Sequence, residues 1–200
     1  MILNLVSSDH PLLRTKIEKW DFANPPMDAN ELANNLIETM VDREGLGLSA
    51  NQCGLPYRVF VMWSNPTKVC INPRIVNYIG DPIPFSEGCL SYPNLYVKIK
   101  RPVGVRVRYQ TPDGETHTED FNGMTSRIFQ HELDHLDGIV YTSRANKIHL
   151  DRAMRTKKTH DRIVKNTPKQ VIPTSMVQRM LEKANANKDT RQPSAHSSEQ

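Results

Sequence analysis

The chain has 200 residues, of which 38% are hydrophobic, and a formal net charge of +4 at pH 7. This length suits one domain with a substantial core and a tail, and without a run of about 18 apolar residues we expect no membrane partner. The first residues do not have the pattern of a secretory signal. Three cysteines are a low, odd number, which favours a reducing compartment, so we expect a cytoplasmic protein.

The first half of the chain is predicted to contain one helix followed by strands. Residues 26–44 carry apolar side chains at helical spacing, and Gly45 ends the pattern. Residues 57–63 and 68–76 are strand-like, with a turn between them. The helix is predicted to pack its apolar stripe into the core.

A glycine-rich segment, residues 45–52, follows this helix and reads GLGLSANQ. Glycines and small residues allow the backbone to approach a ligand closely. The side-chain amide of Gln52 can donate a hydrogen bond to a developing oxyanion. Taken alone, such a segment is more typical of a helix cap.

A second segment, residues 87–91, reads EGCLS and contains Cys89, whose glycine neighbour allows close backbone approach. Cys70 lies in an apolar run and Cys53 follows the glycine-rich segment, so we expect both to be packing residues. Beyond Cys89, the alternating pattern of residues 103–109 predicts a half-buried strand, which a hairpin connects to residues 115–121.

The third segment is a predicted helix over residues 124–137 that contains the sequence HELDH. His131 and His135 are four residues apart and therefore lie on one helix face, where two imidazoles can bind one metal ion. Glu132 then lies beside the metal without binding it and is placed to transfer protons. The plain alternative is a surface helix with solvated side chains.

A catalytic metal usually has three protein ligands and one open position. One metalloprotease pattern supplies a third histidine, but Tyr141 stands at that position here. Glu182 would be a later glutamate ligand, and Cys89 is the upstream candidate. A thiolate with two imidazoles suits a divalent first-row metal such as Fe²⁺, Ni²⁺, Co²⁺ or Zn²⁺.

Taken together, the three segments resemble the peptide deformylase family, whose patterns are G-φ-G-φ-A-A-x-Q, E-G-C-φ-S and Q-H-E-x-D-H-L, with φ an apolar residue. The resemblance extends from about residue 5 to about residue 150. Two departures are Ser49 and Ser126, where the family usually has alanine.

The resemblance implies removal of the N-formyl group from formyl-methionyl N-termini of nascent polypeptides, with release of formate. It implies one divalent metal ion per chain, with Fe²⁺ as the native ion, bound by Cys89, His131 and His135. It assigns proton transfer to Glu132, and stabilisation of the oxyanion to Gln52 and the Leu90 main-chain N–H. The predicted fold is α+β, with antiparallel strands packed around a central metal-binding helix.

We expect the substrate to bind mainly through backbone groups, as an added strand beside Leu46, Gly47 and Gly88. Ile128, one turn before the first histidine, is a candidate lining residue of the methionine pocket. It could equally be an ordinary core residue.

Three regions are predicted: a catalytic domain over residues 1–150, a basic, partly helical extension over 151–183, and a disordered tail over 184–200. The basic extension could contact a ribosome surface, and we expect no DNA partner.

Two rival functions remain open at this point. One is a metallopeptidase with an unusual third ligand, and the other is a non-catalytic metal-binding or RNA-binding protein.

Overall fold

The structure is a computed structural model that describes residues 1–166. Met1–Asp161 form one compact unit, and a second unit begins at Arg162. In chain order, the elements are a 3₁₀ helix at Pro11–Arg14, α1 Ala29–Asp42, β1 Gly47–Ser49, a 3₁₀ helix at Ala50–Cys53, β2 Val59–Met62, β3 Lys68–Cys89, β4 Tyr92–Gln110, β5 Thr116–Asn122, α2 Gly123–Leu136, a 3₁₀ helix at Tyr141–Arg144 and α3 Lys147–Asn166.

The strands form one sheet in the order β1-β2-β3-β4-β5, and each neighbouring pair is antiparallel. This sheet, with helix α2 packed against it, confirms the predicted α+β class. Register shifts interrupt the β3–β4 ladder at four places. Such bulges bend a strand pair and increase its twist.

The sequence underestimated the length of β3 and β4. Residues 68–76 were predicted as a complete strand, whereas β3 continues to Cys89. Residues 92–94 already belong to β4, well before the predicted strand at residues 103–109, and Cys89 pairs with Tyr92 around Leu90 and Ser91. The physical reason is that bulges accommodate the glycine and proline residues that would otherwise end a strand.

Helix α1 matches the predicted helix but is shorter at both ends. Its first turn is capped by Asp28, whose carboxylate accepts a hydrogen bond of 2.8 Å from the Glu31 main-chain N–H. Leu32, Leu36 and Met40 repeat at helical spacing and are buried in one apolar cluster. The predicted apolar stripe therefore faces the core.

Helix α2 lies in the centre of the fold, and every residue from Ser126 to Leu136 is buried. The Phe129 ring is fully buried and packs edge-on against Phe60 at a centroid distance of 5.1 Å. After the helix, Gly138 has a positive φ of 70°, which favours glycine, and its Cα faces the Arg14 carbonyl.

Helix α3 begins at Lys147, four residues before its predicted start at 151. Ala153 is buried in a small apolar cluster with Leu95 and Val97, so the helix packs beyond the predicted boundary of the catalytic domain at residue 150.

No helix within residues 1–166 is long and apolar enough to cross a membrane. The expected disordered tail and Glu182 lie outside the described residues, and the domain boundaries stay predictions.

We predict that Phe129→Ala lowers the free energy of unfolding by about 3–5 kcal/mol, because it removes a buried ring and leaves a cavity. Urea denaturation followed by circular dichroism measures this change. Met154→Ala, at a position that is 51% exposed, is the control and should change stability by at most about 0.5 kcal/mol. Equal stabilities of both variants would contradict the central position of α2.

Candidate active site

Three potential metal ligands come together at the end of β3 and on α2. Single donor atoms of Cys89, His131 and His135 all lie within 4.8 Å of one another. The Cys89 Sγ is 3.1 Å from the His135 Nε2, and the two imidazole centroids are 5.2 Å apart. The helical spacing of the two histidines thus places both rings beside one thiol, although Cys89 is distant in sequence.

The Glu87 carboxylate orients the first of these histidines. Its Oε2 lies 3.0 Å from the His131 Nδ1, and its two oxygens accept hydrogen bonds of 2.7 and 3.0 Å from the Arg101 guanidinium. Burial alone would raise the pKa of Glu87, but the hydrogen bonds from His131 and Arg101 outweigh it and lower the pKa to about 2. Because Glu87 is ionised, it accepts the hydrogen of the His131 Nδ1, and Nε2 is then the ring nitrogen that can release its proton and bind a metal.

A second buried carboxylate, Asp134, anchors α2 to the elements around it. The Asp134 Oδ2 accepts hydrogen bonds of 2.8 Å from Arg101 and 2.6 Å from Arg144. Arg101 therefore links Asp134 to Glu87 and fixes the orientation of the metal-binding face. The buried Nδ1 of His135 has no hydrogen-bond partner within residues 1–166.

The position of Tyr141 is informative about the third ligand. Its hydroxyl donates a hydrogen bond of 2.6 Å to the Leu95 carbonyl, and its ring packs against the His131 imidazole at 5.4 Å. Tyr141 thus supports a histidine from the side, while Cys89 takes the place next to both imidazoles.

Cys53 and Cys70 pack in apolar clusters, and burial raises the pKa of Cys53 to about 11.

The donor set fits a divalent metal ion. One thiol and two imidazoles are ligands of divalent first-row metals. Burial by itself lowers the pKa of His131, but its contacts with Cys89 and Glu87 raise that pKa to about 10. Surroundings that favour a proton on this ring also favour a cation among the three donor atoms.

A cavity of about 460 Å³ opens beside the three donors. It brings together nearly all side chains and backbone segments that the sequence proposed for the site; the exception is His135, which is only 2% exposed. The proposed residues that line it are Leu46, Gly47, Gln52, Gly88, Cys89, Leu90, Ile128, His131 and Glu132.

The Gln52 side chain is held in one orientation within this cavity. Its Oε1 accepts a hydrogen bond of 2.9 Å from the Ser49 main-chain N–H. Its Nε2 donates to the Ser91 hydroxyl at 3.0 Å and lies 3.6 Å from the Cys89 Sγ. The amide therefore presents a hydrogen-bond donor next to the candidate metal ligands.

The Glu132 carboxylate is buried between α2 and β1 and is outside the group of candidate ligands. A Cβ atom at Gly47 would lie 2.4 Å from the Glu132 Oε1, so only glycine fits this position without displacing the carboxylate. Burial raises the pKa of Glu132, and the His131 charge and the Ser49 hydroxyl partly oppose this rise. A raised pKa suits a group that accepts and returns a proton.

The residues predicted to bind the substrate differ in how deeply their side chains are buried. Leu46 is 51% exposed, whereas Ile128 is 6% exposed and belongs to the central core cluster while it also lines the cavity. Ile128 is therefore a core residue that also lines the cavity, and its role in a methionine pocket stays a prediction. A Cβ atom at Gly88 would meet the Tyr96 ring at 2.6 Å, so the glycine permits close contact with an aromatic side chain.

Sequence reasoning assigned no role to three residues that contact the site. Glu87 was predicted only as part of its segment and Ser49 only as a departure from the family pattern, while Arg101 lies two residues before the predicted strand at residues 103–109. The usable signal would have been that Arg101 shares the two-residue spacing of Val103, Val105 and Val107, because a charge on the buried face of a strand needs a partner.

The family model described as polypeptide deformylase matches residues 2–151. The chain belongs to the polypeptide deformylase family. The peptide deformylase of Christiangramia forsetii is 34% identical over 166 residues, which cover 74% of this chain and 84% of that protein. The peptide deformylase of Afipia carboxidovorans is 37% identical over 134 residues, which cover 64% of this chain and 78% of that protein.

Solved structures of peptide deformylases have the same fold. The Synechococcus elongatus enzyme, crystallised in complex with actinonin, has a TM-score of 0.72 and 30% identity, and the match covers 78% of this chain and 86% of that chain. The Legionella pneumophila enzyme has a TM-score of 0.73 and 26% identity over 84% of this chain and 100% of that chain. These neighbours confirm the predicted deformylase-like fold and family.

We predict that Cys89→Ser sharply reduces the metal content of the purified protein, because a hydroxyl is a much poorer ligand than a thiolate for these metals. Metal analysis of protein purified without oxygen measures the content per chain. Cys53→Ser and Cys70→Ser are matched controls that should retain the metal. Equal metal content in all three variants would rule out Cys89 as a ligand.

Proposed function

We propose that this chain is a metal-dependent hydrolase that removes the N-formyl group from formyl-methionyl N-termini of nascent polypeptides and releases formate. As a member of the polypeptide deformylase family, it is an enzyme that acts on formyl peptides. The observation that carries the detailed proposal is the convergence of Cys89, His131 and His135 beside the Glu132 carboxylate and the Gln52 amide.

Cys89, His131 and His135 would hold one divalent metal ion, with Fe²⁺ as the native ion and Zn²⁺, Ni²⁺ or Co²⁺ as alternatives. A divalent ion at such a site polarises a carbonyl oxygen and lowers the pKa of a bound water molecule. Support comes from the negative surroundings of His131, in which Glu87 is ionised and hydrogen-bonded to the ring.

Glu132 accepts a proton from the water molecule that attacks the formyl carbon. It then gives this proton to the leaving amine as the C–N bond breaks, so the products are formate and a free N-terminus. Its buried position beside the candidate ligands, and a pKa that burial raises, support this role.

Gln52 and Leu90 stabilise the negative charge that develops on the formyl oxygen. The Gln52 Nε2 and the Leu90 main-chain N–H act as the hydrogen-bond donors, and the loss of one such donor typically costs about 3–4 kcal/mol of transition-state stabilisation. The anchoring of the Gln52 amide by Ser49 and Ser91 supports its role, because a donor fixed in advance needs no reorganisation during the reaction.

The substrate binds as an extended peptide along Leu46, Gly47 and Gly88, with its methionine side chain toward Ile128. Backbone pairing of this kind recognises extended shape and tolerates many sequences. The position of all four residues around one cavity supports the assignment.

A ribosome contact through the exposed basic residues of α3 would place the enzyme near its nascent substrates. Arg155 and Lys158 are exposed on this helix, and exposed positive charge favours RNA surfaces.

We place the protein in the cytoplasm. The free state of Cys53, Cys70 and Cys89 is consistent with a reducing compartment.

The decisive experiment is a formate-release assay on protein purified without oxygen, with metal analysis of the same sample. Formylated and unformylated methionyl peptides are compared. Formate release from the formylated peptide alone would support the proposal, and cleavage of internal amide bonds would favour a metallopeptidase. Metal or RNA binding without turnover would favour the non-catalytic alternative.

We predict that Glu132→Ala retains the bound metal and lowers kcat for formate release about a hundredfold to ten-thousandfold, the usual effect of removing a general base. Steady-state kinetics and metal analysis on the same preparation measure both quantities. Glu115→Gln, at a carboxylate that is 77% exposed, is the control and should behave as the unchanged protein. Loss of the metal from Glu132→Ala would mean that Glu132 is a ligand.

We predict that the double variant Arg155→Glu/Lys158→Glu weakens salt-sensitive binding to ribosomes and leaves kcat on short formyl peptides unchanged, because neither residue lines the cavity. Co-sedimentation at two salt concentrations measures binding. Lys16→Glu/Lys19→Glu makes the same change in net charge at other exposed positions. If this control weakens binding equally, α3 is not a specific contact.

A further inference from the structure

Ser49, the last residue of β1, contacts the two side chains that the proposed reaction depends on most. Its hydroxyl oxygen lies 2.7 Å from the Glu132 Oε2 and 3.1 Å from the Glu132 main-chain oxygen. A hydroxyl has one hydrogen to donate, and the closer, charged carboxylate is the stronger acceptor. The Ser49 main-chain N–H holds the Gln52 Oε1 at 2.9 Å.

The Ser49 hydroxyl donates a hydrogen bond to the buried Glu132 carboxylate. Glu132 is only 4% exposed, and a buried carboxylate is costly unless it is hydrogen-bonded. Within residues 1–166, the Ser49 hydroxyl is the one hydrogen-bond donor to this carboxylate. The family pattern usually has alanine at this position, which offers no donor, so the contact distinguishes this chain from that pattern.

The two carboxylate oxygens of Glu132 have different surroundings. Oε2 is bound by Ser49, whereas Oε1 lies against the Cα of Gly47, where a Cβ atom would be 2.4 Å away. Gly47 lines the cavity, and Ser49 is fully buried and outside its lining. With Oε2 held by the Ser49 hydroxyl, Oε1 is the oxygen that lies beside Gly47, and Gly47 and Glu132 both line the cavity.

We propose that Ser49 is a positioning residue for deformylation: its hydroxyl fixes the Glu132 Oε2 so that Oε1 accepts and returns the proton. This inference depends on the proposed function, in which Glu132 transfers that proton. Since Ser49 does not reach the cavity, it acts on the rate of the chemical step and leaves peptide binding unchanged.

The test compares kcat and KM for formate release in the unchanged protein, Ser49→Ala and Ser126→Ala. We expect Ser49→Ala to lower kcat about tenfold, the usual size of one lost hydrogen bond to a charged group, with KM and metal content unchanged. Ser126 is the matched control, a second buried serine where the family usually has alanine. Its hydroxyl accepts from the Gln130 side chain, and Ser126→Ala should leave kcat unchanged.

A double-mutant cycle with Glu132→Gln separates positioning from a general structural effect. If Ser49 acts through the carboxylate, Ser49→Ala should cause no further loss of kcat in the Glu132→Gln background. A tenfold loss in both backgrounds, a rise in KM alone, or a Ser49→Ala variant as active as the unchanged protein would overturn the inference. Failure of the proposed function is a different outcome: the unchanged protein would release no formate, or Glu132→Gln would be fully active.

Discussion

The structure depends on one constraint, the burial of a strongly polar stretch of helix α2. All eleven residues of Ser126–Leu136 are buried, and seven of them carry polar or charged side chains. Burying such groups is costly unless each has a hydrogen-bond or ion-pair partner. Glu87 is the partner of Arg127 and His131, and Ser49 is the partner of Glu132. Gln130 bonds to the Ser126 hydroxyl and the Pro102 carbonyl. Asp134 accepts from Arg101 and Arg144, and His135 contacts Cys89.

These partners explain why the long β3–β4 hairpin is necessary. Glu87 and Cys89 come from the end of β3 and Arg101 from the facing strand β4. Since Phe85 pairs with Ile99, the hairpin register fixes how far Glu87 lies from Arg101. A shift by one residue would turn these side chains to the opposite face of the sheet. Removing one partner would leave a buried charge uncompensated, which costs far more than a surface ion pair contributes.

The same packing divides the site between residues that face the cavity and residues that hold them. Glu132 and Gln52 line the cavity, and Ser49 contacts both through its hydroxyl and its main-chain N–H. Gly47 has no side chain because the Glu132 carboxylate occupies that space. Groups fixed by packing and hydrogen bonds in this way are oriented before the substrate binds, which is a general requirement of efficient catalysis.

The sequence by itself determined the local features. The spacing of His131 and His135, the extent of α1 and α2 to within a few residues, and the α+β class all follow from short-range periodicity and capping. The choice of Cys89 over Glu182 as the third donor needed the family pattern. Only the tertiary structure decided the length of β3 and the partners of the buried charges. Glu87 is 44 residues from His131 and Ser49 is 83 residues from Glu132, so no local pattern links them, and each pairing is selected by the cost of leaving a buried polar group without a partner.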